Sequence, residues 1–322
     1  MTTESAPVLV TGATGKQGGA TARALIAAGV RVRALVRDPS TYRAKAVEAL
    51  GAELITGDLH DRDSVIRAAE GARAVFSIQM PEITDGGVDV DGEISQAVNL
   101  IQGAKTAGVP QFVHTSVSGA GQHTGAPGWA EGRWAAMEPV LGAKAAIQNH
   151  VRAAEFPQWT ILKPGTFMEN FLPSAAYMFP RGIAGGLVSV IDPRTPLSLV
   201  AVDDIGRAAT AAITAPQRFQ NIELELAGDY LSMTDIAEIL TRTLGIHLTA
   251  PDMTEQQAAA AGMAFATAHE WLNVVGQPAR PPAVRHRPRD PADHLRRVGT
   301  AAHASRRLTQ NHRHRGHRAN RR

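Results

Sequence analysis

Val8-Leu9-Val10-Thr11-Gly12-Ala13-Thr14-Gly15-Lys16-Gln17-Gly18 is the stretch that decides the fold. An apolar run enters glycines at 12, 15 and 18, and an Ala-rich segment continues to about Ala28. The pattern reads as strand, tight turn and helix, with Val30 to Val36 forming the next strand. Each glycine then has its own task. Gly12 permits the turn, Gly15 lets bare backbone approach a pyrophosphate, and Gly18 lets the helix lie close on the strand. A helix starting there offers unpaired N–H groups and the positive end of its dipole to phosphates. The competing reading is a loop that merely turns. The strand before and the helix after supply the context that phosphate binding needs.

The end of the second strand chooses the dinucleotide. About 20 residues beyond the turn, an NAD site places a carboxylate on the ribose 2′-hydroxyl. This chain has Arg37 there, then Asp38, with Arg43 and Lys45 following. A guanidinium fork matches the oxygens of a 2′-phosphate, so NADP(H) is expected and NAD(H) is the lesser alternative, in which Asp38 takes the ribose.

Bulk composition narrows the class. With 322 residues and 44% hydrophobic content, the chain can bury a sizeable core in one or two domains. It has no Cys, which excludes disulfides and thiolate chemistry. Neither a charged-then-apolar leader nor an apolar run of membrane-span length is visible, so a soluble cytoplasmic protein without a membrane partner is expected. The net charge of +3 conceals an asymmetry. Arg280 to Arg322 holds 13 Arg against two carboxylates, +11 in total, and the remainder carries −8. This basic tail lacks apolar periodicity and resembles no nucleic-acid module, so no nucleic-acid partner is expected and disorder is. Codons for Val284 to Gly299 can be chosen so that the +1 frame encodes an apolar-patterned ending. A frame change upstream of Val284 is therefore one account of the tail.

Strand and helix alternate through the first half with short connections, the signature of a parallel α/β sheet. Helices are expected near Thr41–Leu50, Arg62–Glu70, Asp89–Ala107 and Glu138–Glu155. Strands are expected at Glu53–Thr56, Ala74–Gln79, Gln111–Ser116 and Trp159–Leu162. Gly119–Gly132 reads as a loop over the site. Beyond Gly165 the pieces shorten: a hairpin at Ile183–Ile191, a helix at Asp203–Thr214, a strand at Ile222–Leu226 and a helix at Ser232–Leu244. Thr254 to Gln257 has the pattern of a capping box. The expected architecture is a Rossmann-type doubly wound parallel sheet over residues 1–165, a smaller α+β substrate lobe over 166–276, and the basic tail over 277–322.

Several stretches together resemble the NmrA-like family of atypical short-chain dehydrogenase/reductases. They are Val10 to Gly18, Gly57-Asp58, Val113-His114-Thr115-Ser116-Val117, Lys144, Leu162 to Asn170, and Val202-Asp203-Asp204-Ile205-Gly206. The resemblance covers about Val8 to Gly276. It implies NADP(H) preference and a C-terminal lobe closing over the nicotinamide. By position it places Asp58 and Leu59 beside the adenine, Gln79 beside the ribose or nicotinamide, Lys144 at the nicotinamide ribose, and Pro164 to Phe167 along the nicotinamide pocket. With Gly12, Thr14, Gly15, Lys16, Gln17, Gly18 and Arg37, these make up the expected cofactor site. Family members divide into reductases of quinones or small carbonyl compounds and NADPH sensors that bind regulatory proteins. Membership alone does not decide between them.

Carbonyl reduction needs a proton donor, commonly a tyrosine four residues before a lysine on one helix face. Here Lys144 has Val140 at that position, and the three tyrosines (Tyr42, Tyr177, Tyr230) lie elsewhere. Lys144 is the candidate catalytic residue, and three readings stand for it: general acid or base, ribose ligand, or solvated surface lysine. Ser116 and Ser118 are candidates for orienting a substrate oxygen. His114 reads as a core histidine, and His123 as a loop residue able to approach substrate. Trp129, Trp134, Phe167, Met168 and Phe171 are pocket-floor candidates, with ordinary core the stronger reading for all but Phe167. The acidic cluster at Asp58, His60, Asp61 and Asp63 suits helix capping, and no metal site is expected. The partner is expected to be a small-molecule substrate or a regulatory protein. A homodimer is left open.

Overall fold

The computed structural model describes residues 5–84, 87–263 and 266–280. The body of the basic tail, and with it the expected disorder and frame change, lies outside the described residues. Two compact units divide the chain. The first takes its described residues from the segments ending at Gly165, Val202–Gly228 and Gln277–Arg280. The second takes Thr166–Ala201 and Asp229–Gly276.

In chain order the first unit opens with β1 (Val8–Val10), α1 (Lys16–Ala27), β2 (Val32–Val36), α2 (Tyr42–Ala49), β3 (Glu53–Thr56), α3 (Arg62–Ala69) and β4 (Ala74–Ser77). A small hairpin follows, β5 (Glu82–Thr84) and β6 (Gly87–Asp89), then α4 (Val90–Thr106), β7 (Gln111–Thr115), α5 (Glu138–Ala153) and β8 (Gln158–Pro164). In the second unit lie β9 (Thr166–Phe167) and β10 (Pro196–Val200). The chain then returns to the first unit as α6 (Val202–Thr214) and β11 (Ile222–Leu226). Last come β12 (Asp229–Ser232), α7 (Met233–Leu244), α8 (Glu255–Ala260) and α9 (Ala266–Val274) in the second unit.

The first sheet has the order β11-β8-β7-β4-β1-β2-β3, and every neighbouring pair is parallel. Its central strands β1 and β4 are near-continuous buried runs because both faces are covered, and successive side chains enter opposite cores. Val8, Val10, Ala34, Phe76, Val113 and Leu162 enter one core together with Ala22 and Leu25 of α1 and Ala209 and Ile213 of α6. Leu9, Leu35, Val75, Phe112 and Ile161 enter the other, with Val65 of α3, Leu100 of α4 and Val151 of α5. Each fully buried Val, Leu, Ile or Phe among them contributes about 1.5–3 kcal/mol. The α1–α6 contact is close. A Cβ on Gly206 would stand 2.6 Å from the Ala20 carbonyl oxygen.

Two expectations are corrected. The lobe expected over 166–276 includes Val202–Gly228, but α6 covers the first sheet and β11 extends it by a parallel ladder with β8. Helix and strand were both readable there. Their partners were not, because the alternation of apolar residues does not say which sheet they join. The expected hairpin at Ile183–Ile191 does not form. Ile183–Gly185 is a 3₁₀ turn bracketed by Gly182 and Gly186, both at positive φ, and Val188 to Ile191 run buried without forming a strand pair.

Within the second unit, β10 pairs antiparallel with β12 and parallel with β9. Its core joins Phe171, Phe179, Leu197 and Leu199 to Met233, Ile236 and Leu240 on the apolar face of α7. Capping boxes at Ser232–Asp235 and Thr254–Gln257 start α7 and α8.

Candidate functional site

The strand order reverses between β1 and β4, and the crevice beyond their carboxyl ends is where open α/β sheets hold ligands. One side of this crevice is the glycine corner. Gly12 sits at φ +60, where an added Cβ would lie 2.7 Å from Ile78 Cγ2. At Gly18 a Cβ would meet the backbone of Thr11 and Gly12 at 2.3–2.5 Å, so only glycine lets α1 approach β1 this closely. Gly15 is the N-cap of α1 and supplies no side-chain cap, and the first turn carries no acidic residue. The first helical hydrogen bond is Gly19 N to Gly15 O, so the N–H groups of Lys16, Gln17 and Gly18 precede the ladder. Thr14, Gly15 and Lys16 are exposed, as an anion site requires. Gln17 differs. Its side chain is buried, with Oε1 accepting a 2.7 Å hydrogen bond from Thr115 Oγ1 at the end of β7.

At the end of β2, Arg37 is exposed and its guanidinium lies 3.9 Å from Glu82 of the hairpin. Asp38 is committed locally. It accepts from the Ser40 N–H (2.8 Å) and hydroxyl (2.6 Å), bonds that hold its carboxyl below the usual range. Asp58 accepts from the His60 N–H at 2.9 Å, and the Leu59 carbonyl accepts from Asn99 Nδ2. Asp61 caps α3 through the Asp63 N–H, which accounts for the acidic cluster. Among the described residues no group of three or more His, Asp or Glu side chains is placed to hold a metal.

The opposite side of the crevice is made of buried polar side chains. Gln79 follows β4, its side-chain Nε2 donating to Ser77 Oγ at 3.2 Å and its main-chain carbonyl accepting from Lys144 Nζ at 3.4 Å. Lys144 also donates to Glu93 Oε1; its side chain is 13% exposed and that of Glu93 is 0%. This removes the reading of Lys144 as a solvated surface residue. Nothing in the sequence singled out Glu93. It sits on α4 among polar residues of the same kind, and its partner is 51 positions away. His114 is fully buried, with Nδ1 3.1 Å from Ser77 Oγ. Burial first, and the Lys144 charge second, push its pKa down to about 3, so the ring is neutral. Ser116 accepts from Gln148 Nε2 at 2.8 Å, and Ser118 from the Ala279 N–H at 3.3 Å.

Other candidates fall outside the crevice wall. His123 is a correction. It is buried, its Nδ1 accepts from the Gly121 N–H, and its ring packs edge-on to Trp129 at 4.8 Å. The Gly119–Gly132 segment folds on itself through glycines at positive φ and encloses it. Trp134, Met168 and Phe171 are core residues. Pro164 closes β8 in the first unit, whereas Phe167 is half-buried on β9 of the second.

A glycine corner at the switch point of an all-parallel sheet defines the class of α/β proteins that hold dinucleotides there. The family model of the NmrA-like family matches residues 4–276, and the chain belongs to that family. An NAD(P)H azoreductase of Xenophilus azovorans is 29% identical over 256 residues, 78% of each chain. The NADPH-dependent quinone oxidoreductase of Escherichia coli, solved with NADPH, superposes with a TM-score of 0.64 at 22% identity. That match covers 84% of this chain and 86% of the other. The negative transcriptional regulator NmrA superposes at 0.69 and 20% identity, covering 94% and 98%. At these identities the two structures establish a shared fold. No helix among the described residues is long and apolar enough to cross a membrane.

Proposed function

We propose that this chain binds NADP(H) and uses it as an oxidoreductase that reduces a quinone or small carbonyl compound. The observation that carries the reading is the Gly18 contact, which brings an uncapped helix end against the turn after β1. In this reading Gly12, Thr14, Gly15, Lys16, Gln17 and Gly18 surround the pyrophosphate, mainly through backbone N–H groups. Arg37 takes the 2′-phosphate, and the engagement of Asp38 with Ser40 removes the carboxylate that NAD recognition would use. Asp58 and Leu59 flank the adenine. Gln79 and Lys144 face the nicotinamide ribose. Pro164 and Phe167 remain candidates on the family motif alone. Bound NADPH would supply a hydride.

Protonation is the step in which this chain is unusual. Val140 cannot donate a proton, so the donor is either the Lys144 ammonium or water. A quinone acceptor suits that economy, because the reduced oxygen can be protonated from solvent.

A second reading is favoured by one observation: the Lys144 ammonium is already held by a buried carboxylate. A lysine so engaged serves cofactor binding without turnover, as in a redox sensor acting on a protein partner. Calorimetric titration with NADPH and NADH, followed by NADPH oxidation against a panel of quinones and aldehydes, separates the two. The enzyme reading expects tight NADPH binding and acceptor-dependent oxidation. Binding without oxidation selects the sensor, and binding of neither nucleotide rejects both.

A further inference from the structure

Glu93 is buried beside this crevice, and the enzyme reading above gives it no role. Its side chain is fully excluded from solvent on α4. Oε1 takes the Lys144 ammonium, and Oε2 has no hydrogen-bond partner among the described residues. Such a pair adds little stability, because desolvating two ions offsets their attraction, and apolar side chains of equal volume often serve as well. A carboxylate oxygen left unsatisfied makes the balance worse. What the pair accomplishes is geometric. A lysine ammonium on a four-carbon stem has three rotatable donors and no fixed direction. Here Nζ is pinned between Glu93 on α4 and the main-chain carbonyl of Gln79 after β4, which commits two of the three donors.

We propose that Glu93 is a positioning residue for dinucleotide binding: it fixes the Lys144 ammonium so that its remaining N–H meets the ribose on the nicotinamide side. The inference rests on the NADP(H) reading above and deepens it. Glu93 touches no ligand in this scheme. It acts through Lys144 alone, and that restriction is what can be tested.

Two probes separate a positioning role from a structural one. NADPH spans the whole crevice, whereas adenosine 2′,5′-bisphosphate carries the adenine and the 2′-phosphate but no nicotinamide ribose. In calorimetric titrations, Glu93→Gln, which keeps shape and removes charge, should bind NADPH about tenfold more weakly, the scale of one hydrogen bond to a charged group. Its affinity for the bisphosphate should be unchanged. Lys144→Met should show the same selective loss. The double variant Glu93→Gln/Lys144→Met should lose no more than Lys144→Met, since both changes remove one contact. The double variant also leaves no unpaired buried ion. If Glu93→Gln alone fails to fold, Glu93→Asp, which keeps the charge but withdraws the carboxylate from Nζ, takes its place and should show the same selective loss. Unchanged NADPH affinity in Glu93→Gln, equal losses for both probes, or additive losses in the double variant would overturn the inference while leaving the NADP(H) reading intact. If the unaltered protein binds neither probe, the NADP(H) reading itself fails and takes this inference with it.

Discussion

The two sides of the crevice are built on opposite principles. At the glycine corner side chains are absent by design: the turn, the helix cap and the close approach of α1 are all backbone, and the surface is open. Across from it, between β4, β7, α4 and α5, the wall consists of buried polar side chains that hold one another, including Ser77–His114, Glu93–Lys144 and Gln148–Ser116. The corner offers generic N–H groups that suit any phosphate. The wall offers a few fixed groups whose positions depend on partners far along the chain.

The largest effect that would break this contrast concerns His114 in the wall. An unfolded histidine takes up a proton below about pH 6.5. Folded His114 stays neutral down to about 3. The unfolded state thus binds the extra proton between those values, so stability should fall as pH drops through that window, by on the order of 4 kcal/mol at its acid end. Urea denaturation at pH 7.5 and pH 5 reads the first part of the fall, and His114→Gln should flatten it. An acid limb unchanged in that variant would mean that the wall tolerates charge after all.

Next in size is the corner. Gly18→Ala places a methyl against main-chain atoms and should cost about 3 kcal/mol in urea melts, the upper range for overpacking. Gly15→Ala, whose Cβ would lie 3.3 Å from the Gly12 carbonyl oxygen, should weaken NADPH binding with a smaller loss of stability. Equal destabilisation by the two would erase the separate tasks assigned to them. Arg37→Asp should then weaken NADPH binding by about 1.5–3 kcal/mol, the value of a hydrogen bond to a charged group, with NADH little affected. Calorimetric losses that are alike for both nucleotides would refute 2′-phosphate recognition. Smallest is the tie between the two sides. Thr115→Val removes the bond to Gln17 and should lower stability by about 1 kcal/mol in the same melts.

Legibility in the sequence followed the same division. Glycine spacing and apolar alternation are local signals, and the β1–α1–β2 unit, the parallel strands and the helix starts at Ser232 and Thr254 could be read from them. Gly18 carries its reason in its own residue type. Glu93 does not, because nothing on α4 distinguishes it until α5 is folded against it. His123 misled for the converse reason: a glycine-rich segment suggests mobility, but here the glycines permit tight turns that enclose the ring. Arg37 was legible as a residue type at a known offset. That Asp38 spends itself on Ser40 depended on a turn that sequence did not specify.

The interleaving of the two units has a practical consequence for anyone who cuts the gene. Because the backbone changes unit at 165/166, 201/202, 228/229 and 276/277, no single excised fragment holds the whole of one unit without part of the other. Ending the protein after Gly165 would strip away the edge strand β11 and the helix that shields one face, exposing Val113 and Leu162 to water. Expression of such a half should give aggregate, so dissection of this molecule has to proceed by point substitution.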